Sequence, residues 1–214
     1  MSKPMAKTSE MEMVGGGGCF RTAARLILAS GSPRRQEFLR GLGLEFEVRP
    51  ADVDEGPLPG EEPSRFVARL ALDKARAVAA REPEAHILAA DTIVVLGSEL
   101  LGKPQDEAEA VAMLRRLAGR THEVWTGFAL CRGAEPLHQQ AVRTEVTFTA
   151  LSDELCRAYV ATGEPLDKAG AYGIQGRGGF LVERICGSYS NVVGLPLAEV
   201  VSALLAFGVV APQG

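Results

Sequence analysis

The stretch Leu26-Ile27-Leu28-Ala29-Ser30-Gly31-Ser32-Pro33-Arg34-Arg35 decides the fold of this chain. Its apolar first half reads as a buried strand, and Phe38, Leu39 and Leu42 beyond it recur at helical spacing. The residues between are therefore a tight strand-to-helix turn. Pro33 suits the first helical turn, where its missing N–H costs nothing. Ser32 is expected to cap the helix, its hydroxyl accepting a first-turn N–H. Free backbone N–H groups, two hydroxyls, a glycine and the Arg34 and Arg35 guanidinium groups then meet at a positive helix end, which suits a phosphate chain. A bare connection with two solvated arginines is the bland alternative, and the turn alone does not exclude it.

Outward from this turn, strands and helices alternate. A second strand is expected over 45–49, followed by an acidic loop at 52–57 and a long helix over 64–81. The most apolar strand is 87–96. Asp106 caps another helix, with Glu109 at the capping-box position and Gly119 at its end. Strands follow at 122–131 and 141–149, the latter alternating as a half-buried strand should. A short helix after Ser152, a glycine-rich stretch over 163–179, a strand over 180–185 and a helix over 196–207 complete the chain. Alternating elements of this kind predict an α/β fold with a mixed sheet and flanking helices. One domain over 26–210 is expected, preceded by a disordered leader over 1–25 that is polar and lacks a signal peptide's apolar core.

Composition narrows the classes. A chain of 214 residues, 46% hydrophobic, builds a sizeable core, and a formal charge of −4 gives no general pull toward nucleic acid or anionic membrane. No segment reaches the roughly 18–20 apolar residues of a membrane span. Cys19, Cys131, Cys156 and Cys186 are far apart and read as cytosolic thiols, which places the protein in the cytoplasm. The histidines, at 86, 122 and 138, are equally scattered and argue against a His-based metal site. Gly15-Gly16-Gly17-Gly18 follows no strand and precedes no Gly-Lys-Ser/Thr, so it is not a phosphate loop.

Charged residues that break the local pattern carry the chemistry. Val67, Leu70, Ala71 and Val78 form one stripe of the long helix. At about 100° per residue Lys74 falls in its centre, where it must snorkel, pair or bind something. Asp91 interrupts the most apolar strand. A carboxylate there is costly unless bonded, and it suits a divalent metal or a general base. Lys103 sits in a loop between Gly102 and Pro104, where solvation is the ordinary state. Asp52, Asp54 and Glu55 add hard oxygen ligands of the kind Mg²⁺ or Mn²⁺ prefers. Glycines over 170–176 permit close backbone approach to a ligand, and the Gln175 amide is able to read a base edge. The parts together suggest a pocket with phosphate-binding cations, a buried carboxylate and a divalent metal. Since P-loop and kinase signatures are missing, water is the expected nucleophile.

With these residues in place the chain resembles the Maf family of nucleoside triphosphate pyrophosphatases. The resemblance covers about residues 26–207. It rests on motifs in family order: residues 28–35, Leu72-Asp73-Lys74-Ala75, Ala90-Asp91-Thr92, Gly102-Lys103-Pro104, Gly119-Arg120-Thr121-His122, and Asp167 through Gly176. It implies two lobes around a cleft, a fold similar to that of inosine triphosphate pyrophosphatases. It implies hydrolysis of a nucleoside triphosphate to the monophosphate and pyrophosphate with Mg²⁺ or Mn²⁺. Ser30, Arg34, Arg35, Glu55, Lys74, Asp91, Lys103 and Gln175 match the family's site residues. Asp91 matches the proton acceptor, and Arg34, Thr92 and Gln175 match positions linked to base choice. Asp91-Thr92 and Ile174-Gln175-Gly176 are similar to the branch acting on dTTP and UTP. A homodimer and a role in septum formation are also implied.

The mechanism expected from this set is attack of water at the α-phosphorus. Asp91 takes the proton, while Lys74, Lys103, Arg34 and Arg35 hold the phosphates. Glu55 and Asp91 are the expected metal ligands, Ser30 positions an oxygen, and Thr92 and Gln175 read a pyrimidine. A nucleotide-binding regulator of division without catalysis is the competing reading. A nucleic-acid binder is a weak third, because the chain is acidic.

Overall fold

A computed structural model describes residues 18–214. Residues 1–17, most of the expected leader and most of the tetraglycine, lie outside the described residues. The leader boundary needs correcting at its end. Phe20–Thr22 (β1) pairs antiparallel with Val210–Pro212 (β9) in a small two-stranded sheet, so the fold begins before residue 26 and continues past 210. Strands this short carry no periodic signal.

The decisive stretch forms the expected strand, turn and helix. Leu26–Leu28 (β2) is fully buried and leads through the turn into Pro33–Gly41 (α1), with Pro33 in the first turn. Glu47–Val48 (β3), Pro63–Ala79 (α2), His86–Leu96 (β4), Glu99–Leu101 (β5) and Glu107–Leu117 (α3) follow. Then come Thr121–Arg132 (β6), Glu135–Phe148 (β7) and Asp153–Val160 (α4). Three 3-10 turns, Glu164–Asp167, Ala169–Ala171 and Gly176–Leu181, precede Val182–Cys186 (β8), Tyr189–Val193 (α5) and Leu197–Ala206 (α6). β7 starts earlier than its alternation predicts, because its first six residues, Glu135 to Gln140, show no regular alternation of buried and exposed positions. The expected strand over 180–185 begins at 182, since Phe180 and Leu181 belong to a 3-10 turn. Asp106 caps α3 as expected, accepting the Glu109 N–H at 2.8 Å.

Among the described residues the main sheet has the order β3-β2-β4-β6-β7-β8, with β5 beside the far end of β4. β2 runs parallel to β3 and β4, and the remaining pairs are antiparallel. The sheet is therefore mixed. Because side chains alternate along β4, its two faces carry different helices. Ile87 and Ala89, with Ile27, Ala29, Ala129 and Cys131, face Ala71, Ala75, Val78 and Ala79 of α2. Farther along the same face, Ile93 and Val95 meet Phe66, Val67 and Leu70. Small residues let α2 come close. At Gly127 of β6 an added Cβ would stand 2.2 Å from the Val67 carbonyl oxygen.

The opposite face carries two separate cores. Leu39 of α1 and Val200, Ala203 and Leu204 of α6 cover Leu28, Leu88, Ala90 and Phe128. Leu114 and Leu117 of α3, with Cys156 and Val160 of α4, cover Val94, Leu96, Val124 and Phe148. These are the two lobes, and Thr92 of β4 lies between them. Each fully buried Leu or Phe contributes about 1.5–3 kcal/mol, against about 0–1 for an exposed ion pair. The cores therefore outweigh exposed pairs such as Arg115–Asp153 and Arg116–Glu99. No helix among the described residues is long and apolar enough to cross a membrane.

Candidate active site

The sheet has a gap at its centre. β2 pairs with β4 as far as Leu88, and β5 pairs with β4 only from Val94 onward. Residues 90–93 of β4 thus have no strand partner on that side. The gap opens just past the carboxyl end of β2, where the parallel neighbour β4 runs on without a partner until β5. A cleft of about 580 Å³ opens there.

Ser30, Arg34, Arg35, Glu55, Lys74, Asp91, Thr92, Lys103 and Gln175 all line this cleft, whereas Asp52 and Asp54 of the acidic loop do not. They arrive from different elements. The β2–α1 turn brings Ser30 and the arginines, α2 brings Lys74, and the loop before α2 brings Glu55. β4 brings Asp91 and Thr92, and the loop after β5 brings Lys103. Two further residues, Asp167 and Lys168, join them from the 3-10 segment. The cleft thus holds five cationic side chains (Arg34, Arg35, Lys74, Lys103, Lys168) against three carboxylates (Glu55, Asp91, Asp167), in a chain whose formal charge is −4. That excess suits a polyanion.

Lys74 and Asp91, the two charges that break the apolar pattern, meet each other. The Lys74 ammonium donates to Asp91 Oδ1 at 2.6 Å, and each side chain is only 12% exposed. Glu55 Oε1 lies 2.7 Å from the same Nζ. Burial pushes the Glu55 carboxyl upward, but the hydrogen bond and charge of Lys74, with Lys103 and Arg35 beyond, hold it below its ordinary value. Among the described residues Asp91 Oδ2 has no hydrogen-bond partner, and it is not sealed from solvent.

The phosphate-loop expectation needs one correction. Ser32 does not cap α1 with its side chain. Ser30 Oγ instead accepts the Ser32 N–H at 3.3 Å and an Arg35 N–H at 3.0 Å. Arg35 also donates to the Gly194 carbonyl at 2.8 Å and to Thr92 Oγ1 at 3.1 Å. All three acceptors are neutral, so no carboxylate directly balances the guanidinium. Burial lowers the Arg35 pKa from its usual value, with Asp91 and Glu55 pulling back and Arg34 adding to the penalty. An anion entering the cleft would relieve that buried charge. Arg34 reaches across the cleft to Asp167 Oδ2 at 3.2 Å.

Sequence reading missed several supporting side chains. Thr92 Oγ1 lies 2.9 Å from Thr126 Oγ1, which donates to the Asn191 carbonyl at 3.0 Å. Buried Asn191 donates to the Val124 carbonyl and to Thr144 Oγ1, and so ties α5 to the sheet behind Arg35. His122 Nε2 lies 2.9 Å from the Tyr172 hydroxyl beneath the cleft floor. For Asn191 the one available signal is its place directly before the apolar run 192–195. For Thr126 there is none, since threonine is ordinary in strands.

The chain is similar to known proteins over most of its length. The family described as Maf-like protein matches residues 25–207. The chain is 55% identical over 186 residues to a dTTP/UTP pyrophosphatase of Desulfotalea psychrophila, covering 86% of this chain and 95% of the relative. It is 57% identical over 188 residues to a dTTP/UTP pyrophosphatase of Myxococcus xanthus, covering 87% and 94%. Among solved structures, a HAM1 protein from Coxiella burnetii aligns with a TM-score of 0.42 at 21% identity, covering 58% of this chain and 73% of that one.

Proposed function

Because the chain belongs to the Maf-like protein family, we propose that it hydrolyses nucleoside triphosphates, dTTP and UTP foremost, to the monophosphate and pyrophosphate. The observation that carries this reading is the Lys74–Asp91 pair, set in a cationic cleft. A site that only bound phosphates would gain nothing from a carboxylate aimed at them. A site that deprotonates water needs one.

In this reading Asp91 takes a proton from water through its free oxygen as the water oxygen bonds to the α-phosphorus. The bond from that phosphorus to the α,β-bridging oxygen breaks, and pyrophosphate leaves. Lys74 holds Asp91 in place and, with Lys103, Arg34 and Arg35, offsets charge growing on the leaving group. Ser30 positions a phosphate oxygen, and Thr92 and Gln175 face the pyrimidine. Glu55 and Asp91 meet on the Lys74 ammonium, each through one oxygen, and the second oxygen of each is a hard donor of the kind a divalent cation takes along with phosphate oxygens. Asp91 and Glu55 would hold Mg²⁺ or Mn²⁺ together with phosphate oxygens, and the ion would supply charge neutralisation there. The reading includes a homodimer in the cytoplasm, with no nucleic-acid partner.

A panel of nucleoside triphosphates, assayed with Mg²⁺ or Mn²⁺ for pyrophosphate against orthophosphate, tests it. Pyrophosphate from dTTP and UTP is the expected product, and orthophosphate as the direct product rejects the reaction. Asp91→Asn is expected to keep nucleotide binding and to lose turnover by about 10²-fold or more. Parental turnover in that variant removes Asp91 as the base.

A further inference from the structure

The segment that carries Ile174 and Gln175 into the cleft is gripped from behind by two side chains outside the expected site. The Glu164 carboxylate accepts the Arg177 and Gly178 N–H groups, each at 3.1 Å, and the Tyr159 hydroxyl at 2.9 Å. The Tyr159 hydroxyl in turn accepts the Gly173 N–H at 3.1 Å. One carboxylate and one phenol therefore fix the backbone on both sides of Gln175. The Gln175 amide itself has no hydrogen-bond partner among the described residues, which leaves it free for a ligand on a backbone that cannot drift.

The segment is shaped around this clasp. A Cβ on Gly178 would stand 2.3 Å from the Gly173 carbonyl oxygen and 2.5 Å from the Tyr159 hydroxyl. Gly176 has φ +70, where a side chain is strained, and its Cβ would come within 3.2 Å of the Glu164 carboxylate. Charge supports the arrangement. Burial pushes the Tyr159 phenol well above its ordinary value, so it keeps the proton it donates. Burial also pushes Glu164 upward, but Tyr159 and the two amides outweigh it and hold the carboxylate ionised. The clasp also connects to the phosphate side of the cleft. Lys168 Nζ donates to the Glu164 carbonyl and to Asp167 Oδ1, and Asp167 pairs with Arg34.

We infer that Glu164 and Tyr159 are positioning residues for nucleobase selectivity: their clasp sets the pose from which Gln175 meets the base edge. The inference rests on the nucleotide substrate proposed above. It separates two halves of recognition, with the triphosphate held by the arginines and lysines and the base held by a segment that Glu164 and Tyr159 keep in register.

Tyr159→Phe removes only the hydroxyl, and Glu164→Gln keeps the shape while replacing an acceptor oxygen with a donor. The parent and both variants are compared in turnover and in calorimetric binding with UTP, CTP and GTP, and in inhibition by inorganic tripolyphosphate, which has no base. Loss of one such hydrogen bond is expected to raise the UTP KM about tenfold, with kcat within about twofold. The preference for UTP over GTP is expected to shrink by a similar factor, while inhibition by tripolyphosphate stays as in the parent. Parental base preference in both variants overturns the inference, whatever their melting temperatures. So does equal loss of affinity for UTP and tripolyphosphate, which assigns the clasp a general structural role. If the parent binds UTP selectively without releasing pyrophosphate, the proposed reaction falls, and calorimetry still decides the clasp. If the parent binds none of the nucleotides, both fall.

Discussion

Gly127→Ala is the sharpest test of how the fold sets the chemistry. Gly127 lies opposite Asp91 in the β4–β6 register. An added Cβ there would stand 2.2 Å from the Val67 carbonyl oxygen, 2.3 Å from its carbonyl carbon and 2.6 Å from the Ala68 nitrogen. These are backbone atoms of α2, so no side chain can swing aside. Comfortable contact needs about 3.5 Å, and α2 must therefore retreat by about 1 Å. Overpacking of this kind costs about 1–3 kcal/mol. Each kcal/mol lowers the melting temperature of a domain this size by about 2–4 °C. Lys74 lies two helical turns beyond Val67 on the same face, so the retreat also draws its ammonium away from Asp91. A misplacement of about 1 Å in a reacting constellation is worth up to about 10²-fold in rate. Urea unfolding and pyrophosphate release, measured on the same preparation, are expected to fall together. Unchanged midpoint and unchanged turnover would refute the steric argument. A lowered midpoint with parental turnover would refute the claim that the seat of α2 sets the Lys74–Asp91 contact.

Two further outcomes follow from buried charge. Burial holds the His122 pKa down to about 4. As pH falls below about 6.5 the unfolded chain takes up a proton that the folded chain refuses until about pH 4, so stability is lost across that window, by about 3 kcal/mol in all. Urea midpoints between about pH 7 and 4 are expected to fall less steeply for His122→Gln than for the parent, and parallel curves would remove His122 as the source. Arg35→Lys replaces a fork that donates to Gly194, Ser30 and Thr92 with a point charge. Its KM for nucleotide is expected to rise by about tenfold or more, and a parental KM would show that the fork geometry is irrelevant.

How far the sequence carried depended on the kind of signal. Lys74 and Asp91 were legible because each contradicts an apolar period, and a contradiction survives without knowledge of the partner. The strand-to-helix turn was legible because Pro33 and the apolar run before it act locally. Glu164 and Asn191 were not, because their roles arise from pairings with amides and carbonyls that are distant or unremarkable in sequence. Gly127 reads as any glycine in a strand, and only the neighbouring helix shows why a side chain has no room. Local propensity favours Ser32 as the cap. The Ser30 hydroxyl takes the Ser32 amide instead, and binds Arg35 as well.

The gap along β4 has one more consequence. An exposed strand edge ordinarily invites another chain to add a strand to it. Here the bare edge of residues 90–93 is short, recessed, and flanked by β2 on one side and β5 on the other. A neighbouring chain has no length of edge along which to zip. The backbone groups left over are available only to something small enough to enter the cleft. In hydrogen-bond terms, the molecule that fills the cleft stands in for the missing piece of the sheet, so protection from aggregation and access for a ligand come from the same interruption.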